Sequence, residues 1–280
     1  MNDDIKRALG LITPEKQQQF SDDGIIYVPQ LLAPEWQQAI EDGWDRIYNK
    51  TDQTIHKFYD GLDGEFMETV RNHELSPEIQ RMMKHSPIAD VASKLVDSKE
   101  IWLYQDEYFI KEGGNSRRTP WHQDLPFWPM DGEKIVSIWI SIDPLEKEEC
   151  LEFIPGSHRQ TQYDGFDPQD VANNQNSPYY GGELPQLPDI EAEREKWNIA
   201  SWKITPGDAL IFHSRMLHGG GQTLPGGRRR ALVLRCYGDD VVFATRPESR
   251  PESPFTPELS SRLQPGDPLR DAEYFPQLRP

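Results

Sequence analysis

Cysteine is nearly absent: 280 residues contain two, Cys150 and Cys236. They lie far apart and in no CxxC or Cys/His cluster, which excludes a disulfide framework and a cysteine-based zinc knuckle and fits a reducing compartment. No apolar run approaches the roughly 18 residues of a membrane span. The first residues, Met1-Asn2-Asp3-Asp4, are acidic where a signal peptide is basic, so the expectation is a cytoplasmic protein. Positive charge is scarce too. Thirty Lys and Arg against 47 Asp and Glu leave a formal net charge of −17, whose field repels nucleic-acid phosphates and anionic lipid and argues against either as a partner. Solubility is the plainer consequence of that acidity, ahead of steering a cationic substrate. Missing as well are GxGxxG, GxxxxGK[ST] and any βαβα alternation, which removes most of the case for a nucleotide-binding α/β fold. No internal repeat or low-complexity tract occurs.

What is present begins with aromatics. Eight tryptophans give a chain of this length enough apolar surface for one large core, so one elaborated domain over residues 1–280 is expected. Residues 1–99 read mostly as helices, with Thr13-Pro14, Ser76-Pro77 and Ser86-Pro87 each pairing an N-cap with a proline at the first helical position. Trp36, Ile40, Trp44 and Ile47 recur at spacings of four, four and three, one face of an amphipathic helix. Gly24 to Leu32 reads as a short strand.

From Glu100 the period changes to two. In Glu100–Glu112, Trp102, Tyr104, Asp106, Tyr108 and Ile110 are expected on one face of a strand and Ile101, Leu103, Gln105, Glu107, Phe109 and Lys111 on the other. In Ile135–Ile142, Val136, Ile138, Ile140 and Ile142 form an apolar face, leaving Trp139 with Ser137 and Ser141 to line a pocket. Cys150–His158, Pro206–His213 and Arg230–Tyr237 add strands and turns. Short strands with helices segregated in front indicate a mainly β, α+β protein, a helical cap on an antiparallel barrel or jelly roll spanning residues 100–245. Residues 159–197 are read as a lid-like insertion over the barrel mouth, and 246–280 as an irregular tail.

The chemistry concentrates in a few places. His122-Gln123-Asp124 sets an imidazole and a carboxylate two residues apart, one face of an extended chain. That signal is weak alone. It strengthens because a histidine follows far downstream, beyond another strand, and an arginine follows at the next: His218 opens a Gly-rich turn and Arg229 comes eleven residues later. Two imidazoles and one carboxylate on one face of a metal leave three positions open, as in non-haem Fe(II) oxygenases. A guanidinium nearby suits the far carboxylate of a chelating dicarboxylate, gripping it through two parallel hydrogen bonds.

These residues resemble the phytanoyl-CoA dioxygenase family and its bacterial relatives such as ectoine hydroxylase. The resemblance covers roughly Ile101 to Asp240 and rests on Trp121–Asp124 (WHQD), Leu151–Arg159 (LEFIPGSHR), Thr205–Gly219 (TPGDALIFHSRMLHG) and Arg228–Leu232 (RRRAL). It implies a double-stranded β-helix of the cupin-like jelly-roll type. It also implies Fe(II) held by His122, Asp124 and His218, 2-oxoglutarate anchored by Arg229 beside Lys111 and Trp139, and a small-molecule substrate met by Gln105 and Trp128. The implied reaction consumes O2 and 2-oxoglutarate and releases succinate and CO2. Related halogenases carry a small residue in place of the carboxylate, so Asp124 favours hydroxylation over halogenation; desaturation, epimerisation and ring formation depend on substrate placement and stay open.

The bland readings stand beside these. His213 competes with His218 for the third ligand position, and a register error of one residue would exchange Arg229 for Arg228 or Arg230. His158 reads as a turn residue bracing the site, and Trp128 and Trp139 also suit plain packing. A cupin-like metal hydrolase or isomerase would use the same three ligands without needing Arg229, and a non-enzymatic sensor could keep the barrel. Neither oligomeric state nor the substrate follows from these residues.

Overall fold

The protein is described by a computed structural model that covers residues 2–48, 56–58, 65–113, 118–165, 183–246 and 256–280. In chain order its elements are helices α1 (Asp3–Leu11) and α2 (Pro14–Asp23), strand β1 (Ile25–Val28), helix α3 (Pro34–Tyr48), strands β2 (His56–Phe58) and β3 (Glu65–Val70), and helices α4 (Pro77–His85) and α5 (Ile88–Val96). Strands β4 (Ile101–Glu112), β5 (Thr119–His122), β6 (Met130–Asp131), β7 (Ile135–Ser141), β8 (Leu151–Phe153), β9 (Ala209–His213), β10 (His218–Gly220), β11 (Arg228–Tyr237) and β12 (Val242–Phe243) follow, then helix α6 (Thr256–Arg262) and strand β13 (Gln277–Arg279).

Local chemistry starts the front helices. Thr13 and Ser76 cap α2 and α4 by accepting from the N–H three residues on, with proline at the first helical position. The third expected cap differs: Ser86 ends α4, and α5 starts at Ile88, with the Ser86 hydroxyl accepting from the Ile88 N–H. In α3, Trp36, Ile40, Trp44 and Ile47 are all buried. Trp44 meets the Tyr108 ring edge-on at 5.5 Å, and the Tyr108 hydroxyl donates to the Ile40 carbonyl at 2.7 Å, which fastens α3 to β4.

The main sheet runs β1-β9-β7-β11-β4-β3-β2, with β13 also paired to β4; a second sheet runs β5-β10-β8, and β12 pairs β6. Every pairing among the named strands is antiparallel. One face of the main sheet packs on the helices: Val136, Ile138 and Ile140 of β7 and Leu232, Leu234 and Cys236 of β11 join Ile40, Ile79, Met82 and Val91 in one core. The other face meets the small sheet, where Trp139, Ala231, Val233 and Leu210 pack against Leu151 and Phe153. This two-sheet sandwich with helices over one face is the expected jelly roll, and each fully buried aliphatic or aromatic side chain contributes roughly 1.5–3 kcal/mol.

Three expectations change. Besides the helices and the strand expected at Gly24–Leu32, which is β1, residues 1–99 supply strands β2 and β3 to the main sheet. Residues 256–280 are ordered as α6 and β13, with Leu259, Leu269 and Phe275 buried against Trp102, Tyr104 and Trp128. Strand β4 also breaks its own alternation: Arg235 pairs Gln105 while Cys236 pairs Leu103, so Tyr104 is an extra residue. That bulge turns Trp102 and Tyr104 away from Tyr108 and Ile110, which share the helix-facing core with Ile101 and Leu103. Of the insertion expected at 159–197, residues 166–182 lie outside the described residues. Its ends, through Tyr163, Leu187, Ile190 and Trp197, pack on Trp121 of β5 and on Ile154 and Leu217, which flank β8 and β10. No helix among the described residues is long and apolar enough to cross a membrane.

Candidate active site

The small sheet brings two histidines together. His122 ends β5, His218 opens β10, and the two are directly paired across the strands with ring centroids 4.2 Å apart. Each ring is held by the same device. His122 Nδ1 donates to the Pro120 carbonyl at 2.8 Å and His218 Nδ1 to the Met216 carbonyl at 2.9 Å. This fixes the tautomer and leaves both Nε2 lone pairs to face the same point.

Asp124 reaches that point by a turn rather than by strand alternation. Its backbone is helical, and its N–H and that of Leu125 both donate to the Ser214 carbonyl. The chain therefore folds back after His122. Asp124 Oδ1 lies 3.5 Å from His122 Nε2 and 3.9 Å from His218 Nε2. The three ligand atoms all lie within 4.8 Å of one another, a set able to hold a metal ion. Gln123, between them, points elsewhere: its amide donates to the Arg215 carbonyl and accepts from the Tyr163 N–H, tying the start of the insertion down.

Charge in this cluster is set by burial and by one neighbour. Burial works against the Asp124 carboxylate, but Arg235 and then the two histidines hold its pKa far below the usual range. Burial, with His122 beside it, pushes His218 down to about 4, so its imidazole is neutral and available as a ligand at neutral pH.

A cavity opens beside the cluster, lined by His122, His218, Trp139, Phe212, Arg229 and Arg235 among others. At one end Arg229 is buried, and its Nη1 donates to the carbonyls of Glu149 at 2.7 Å and Gly221 at 3.3 Å. Among the described residues no carboxylate lies within ion-pair distance of it. Lys111, paired to Arg229 across β4 and β11, is fully buried, with Nζ 2.9 Å from Thr119 Oγ1 and 4.7 Å from the centre of the Phe66 ring. Burial lowers the pKa of both cations, Arg229 to about 10 and Lys111 well below its ordinary value, where Arg229 is the next cause. Arg228 is exposed, and Arg230 turns to the helix side to pair with Asp143 at 2.7 Å.

The remaining expected residues sit apart from this cavity wall. Trp128 is buried against Tyr104, ring centroids 5.2 Å apart, with the Arg235 guanidinium 4.9 Å from its own ring centre. Gln105 is half-buried opposite Arg235 and makes no side-chain hydrogen bond among the described residues. His213 ends β9, donating from Nε2 to the Glu133 carbonyl and accepting at Nδ1 from the Arg215 N–H, next to the His158 ring and away from the ligand cluster.

Sequence reasoning overlooked Arg235 and Glu107. The signal was there: Arg229, Ala231, Val233 and Arg235 alternate along one face of β11, so an arginine recurs in phase with Arg229 inside an otherwise apolar strand.

Comparison with known proteins agrees with this geometry. Residues 20–231 match the family model described as phytanoyl-CoA dioxygenase (PhyH). Ectoine dioxygenase of Bordetella bronchiseptica is 23% identical over 94% of this chain and 88% of its own. Among solved structures, the non-haem α-ketoglutarate-dependent carbocyclase SnoK from nogalamycin biosynthesis superposes with a TM-score of 0.72 at 19% identity, covering 96% of this chain and 97% of its own. The epimerase SnoN, solved with Fe3+, α-ketoglutarate and nogalamycin RO, gives 0.70 at 20% identity over 98% and 99%. With the family model covering most of its length, the chain belongs to the phytanoyl-CoA dioxygenase family of Fe(II)- and 2-oxoglutarate-dependent dioxygenases.

Proposed function

We propose that His122, Asp124 and His218 hold Fe(II), that Arg229 with Lys111 anchors the distal carboxylate of 2-oxoglutarate, and that the enzyme hydroxylates an unactivated C–H bond of a small-molecule metabolite. Two imidazoles and one carboxylate suit a divalent iron and leave coordination positions for a chelating co-substrate and O2. When bound, iron and 2-oxoglutarate supply the oxidising chemistry, with succinate and CO2 as by-products.

The observation that carries this reading is Arg229: a buried guanidinium in the cavity beside the cluster, satisfied among the described residues by backbone carbonyls alone, with Lys111 beside it in the strand pairing. A guanidinium in so dry a place is costly unless an anion joins it, and a dicarboxylate with one end on the metal supplies it. A metal hydrolase or isomerase would leave Arg229 without a task. The part left to the chain is to orient and to dry. Arg229 fixes the co-substrate's far end and Trp139 and Phe212 wall the cavity, while Trp128 and Gln105, which lie outside that wall next to Arg235, are assigned to the substrate side by the family resemblance alone. Because β1 to β3 and β13 enter the same sheet as the barrel strands, we read residues 1–280 as one dioxygenase domain.

The test is succinate formation from 2-oxoglutarate by anaerobically purified protein supplied with Fe(II) and then air, comparing wild type with Asp124→Ala and Arg229→Ala. Succinate that requires iron and both side chains is the expected result. Iron binding without succinate across a broad substrate panel would overturn it.

A further inference from the structure

We propose that Arg235 is a positioning residue of the metal centre, holding Asp124 by one oxygen so that only the other is offered to the metal. The inference rests on the metal reading above and concerns a side chain that reading does not use.

Arg235 lies on β11 two residues beyond Val233, on the same inward face as Arg229, and lines the cavity with His122 and His218. Its guanidinium is fully engaged. Nη1 donates to Asp124 Oδ2, while Nε and Nη2 both approach Glu107 Oε2 at 2.7 Å. Its flat face lies over Trp128. All three partners are buried, Asp124 and Glu107 at 4% and 6% exposure. The oxygen that Arg235 takes, Oδ2, is not the one facing the imidazoles, which is Oδ1. The division of labour within one carboxylate is therefore built into the fold.

The chemical consequence is denticity. A free carboxylate beside a divalent ion can swing to bind through both oxygens, which would occupy a position the co-substrate or O2 needs. A fork that grips one oxygen and is itself anchored to a second carboxylate and an aromatic face prevents that rotation. Lysine cannot reproduce it, because one ammonium cannot present the fixed, planar set of donors that spans Glu107 and Asp124. Partners that orient ligands in this way typically change metal affinity 10- to about 100-fold when removed.

Mn(II) alone is the probe, titrated into full-length metal-free protein and followed by loss of the free-ion EPR signal, with thermal melting alongside. Arg235→Met is expected to weaken Mn(II) binding about 10- to 100-fold and, at saturating Mn(II), to weaken 2-oxoglutarate binding although Arg229 is intact. Arg235→Lys and Glu107→Gln are expected to fall between it and wild type. Arg230→Met, which removes a comparable ion pair on the helix side, is expected to lower the melting temperature and leave Mn(II) affinity alone. A folded Arg235→Met with wild-type Mn(II) and 2-oxoglutarate affinity would sink the inference. Should that variant not fold, wild-type affinities in both Arg235→Lys and Glu107→Gln would do the same. Asp124→Ala separates the two levels: if it binds Mn(II) as wild type does, the metal site itself is misplaced, whatever the Arg235 variants show.

Discussion

At the scale of single residues the site is a balance of buried charges, and each can be moved alone. Arg229 has backbone carbonyls on one side and the cavity on the other. Removing a buried partner of a charge pair costs about 2–5 kcal/mol, so Arg229→Ala should raise KM for 2-oxoglutarate by about 30-fold or more, and Arg229→Lys should recover only part of it. Steady-state succinate assays over a range of 2-oxoglutarate concentrations would measure both. His213 predicts a pH effect on stability. Burial pushes its pKa down to about 3, and its two nitrogens are committed to one donated and one accepted hydrogen bond, which only the neutral ring can make. The unfolded chain takes up this proton as pH falls through about 6.5, whereas the folded chain does not until about 3. The contribution is therefore complete above 6.5 and is lost towards pH 3, at no more than about 1.4 kcal/mol per pH unit. The melting temperature should fall between pH 7 and 5, and His213→Gln should flatten that fall.

At the scale of elements, close approach matters more than propensity. Gly221 follows β10, and its carbonyl accepts from both Arg229 and Lys111. A Cβ there would sit 2.1 Å from the Glu148 carbonyl oxygen and 2.8 Å from Glu149 backbone atoms. Backbone cannot yield as a side-chain tip can, so Gly221→Ala should displace the turn before β8 and shift the carbonyl that seats both cations. Lower thermal stability together with weaker 2-oxoglutarate binding is the expected pair of results; a variant with both unchanged would show that the turn yields freely. The bulge at Tyr104 acts in the same way on β4. It lets Trp102 and Tyr104 pack with Trp128 while Glu107, Phe109 and Lys111 keep to the face opposite Tyr108 and Ile110. Period-two reading cannot see it, because one extra residue exchanges the faces of everything before it.

At the scale of the whole molecule, the C-terminal residues close over Trp102, Tyr104 and Trp128. Phe275 lies 5.9 Å from Tyr104, which leads through Trp128 to Arg235 and so to Asp124. Phe275→Ala leaves a cavity in that cluster and should cost about 3–5 kcal/mol, read as a lower denaturation midpoint with unchanged slope. Truncation after Arg246 should go further, exposing Trp102 and Tyr104 and adding dye-accessible apolar surface. The amphipathic face of α3, the alternation of β7 and the caps of α2 and α4 were legible in sequence because each is a local pattern with one low-energy reading. The spacing between His218 and Arg229 likewise reported a turn and a strand. The C-terminal segment was not legible, since its order comes from burial against residues distant in the chain, Trp102, Tyr104 and Trp128 among them, and its own sequence is rich in proline.

The sequence by itself determined which groups were available: two histidines and a carboxylate, an arginine in phase with a strand's inner face, and a strongly acidic composition. Only the tertiary structure decided how they meet. Asp124 arrives by a turn anchored on the Ser214 carbonyl, and Arg235 and Glu107 come from separate strands to fix which of its oxygens faces the imidazoles. The physical reason is that a pattern along the chain sets the direction of a side chain within its own element, whereas distances between elements follow from packing and pairing register. Those depend on the whole fold at once.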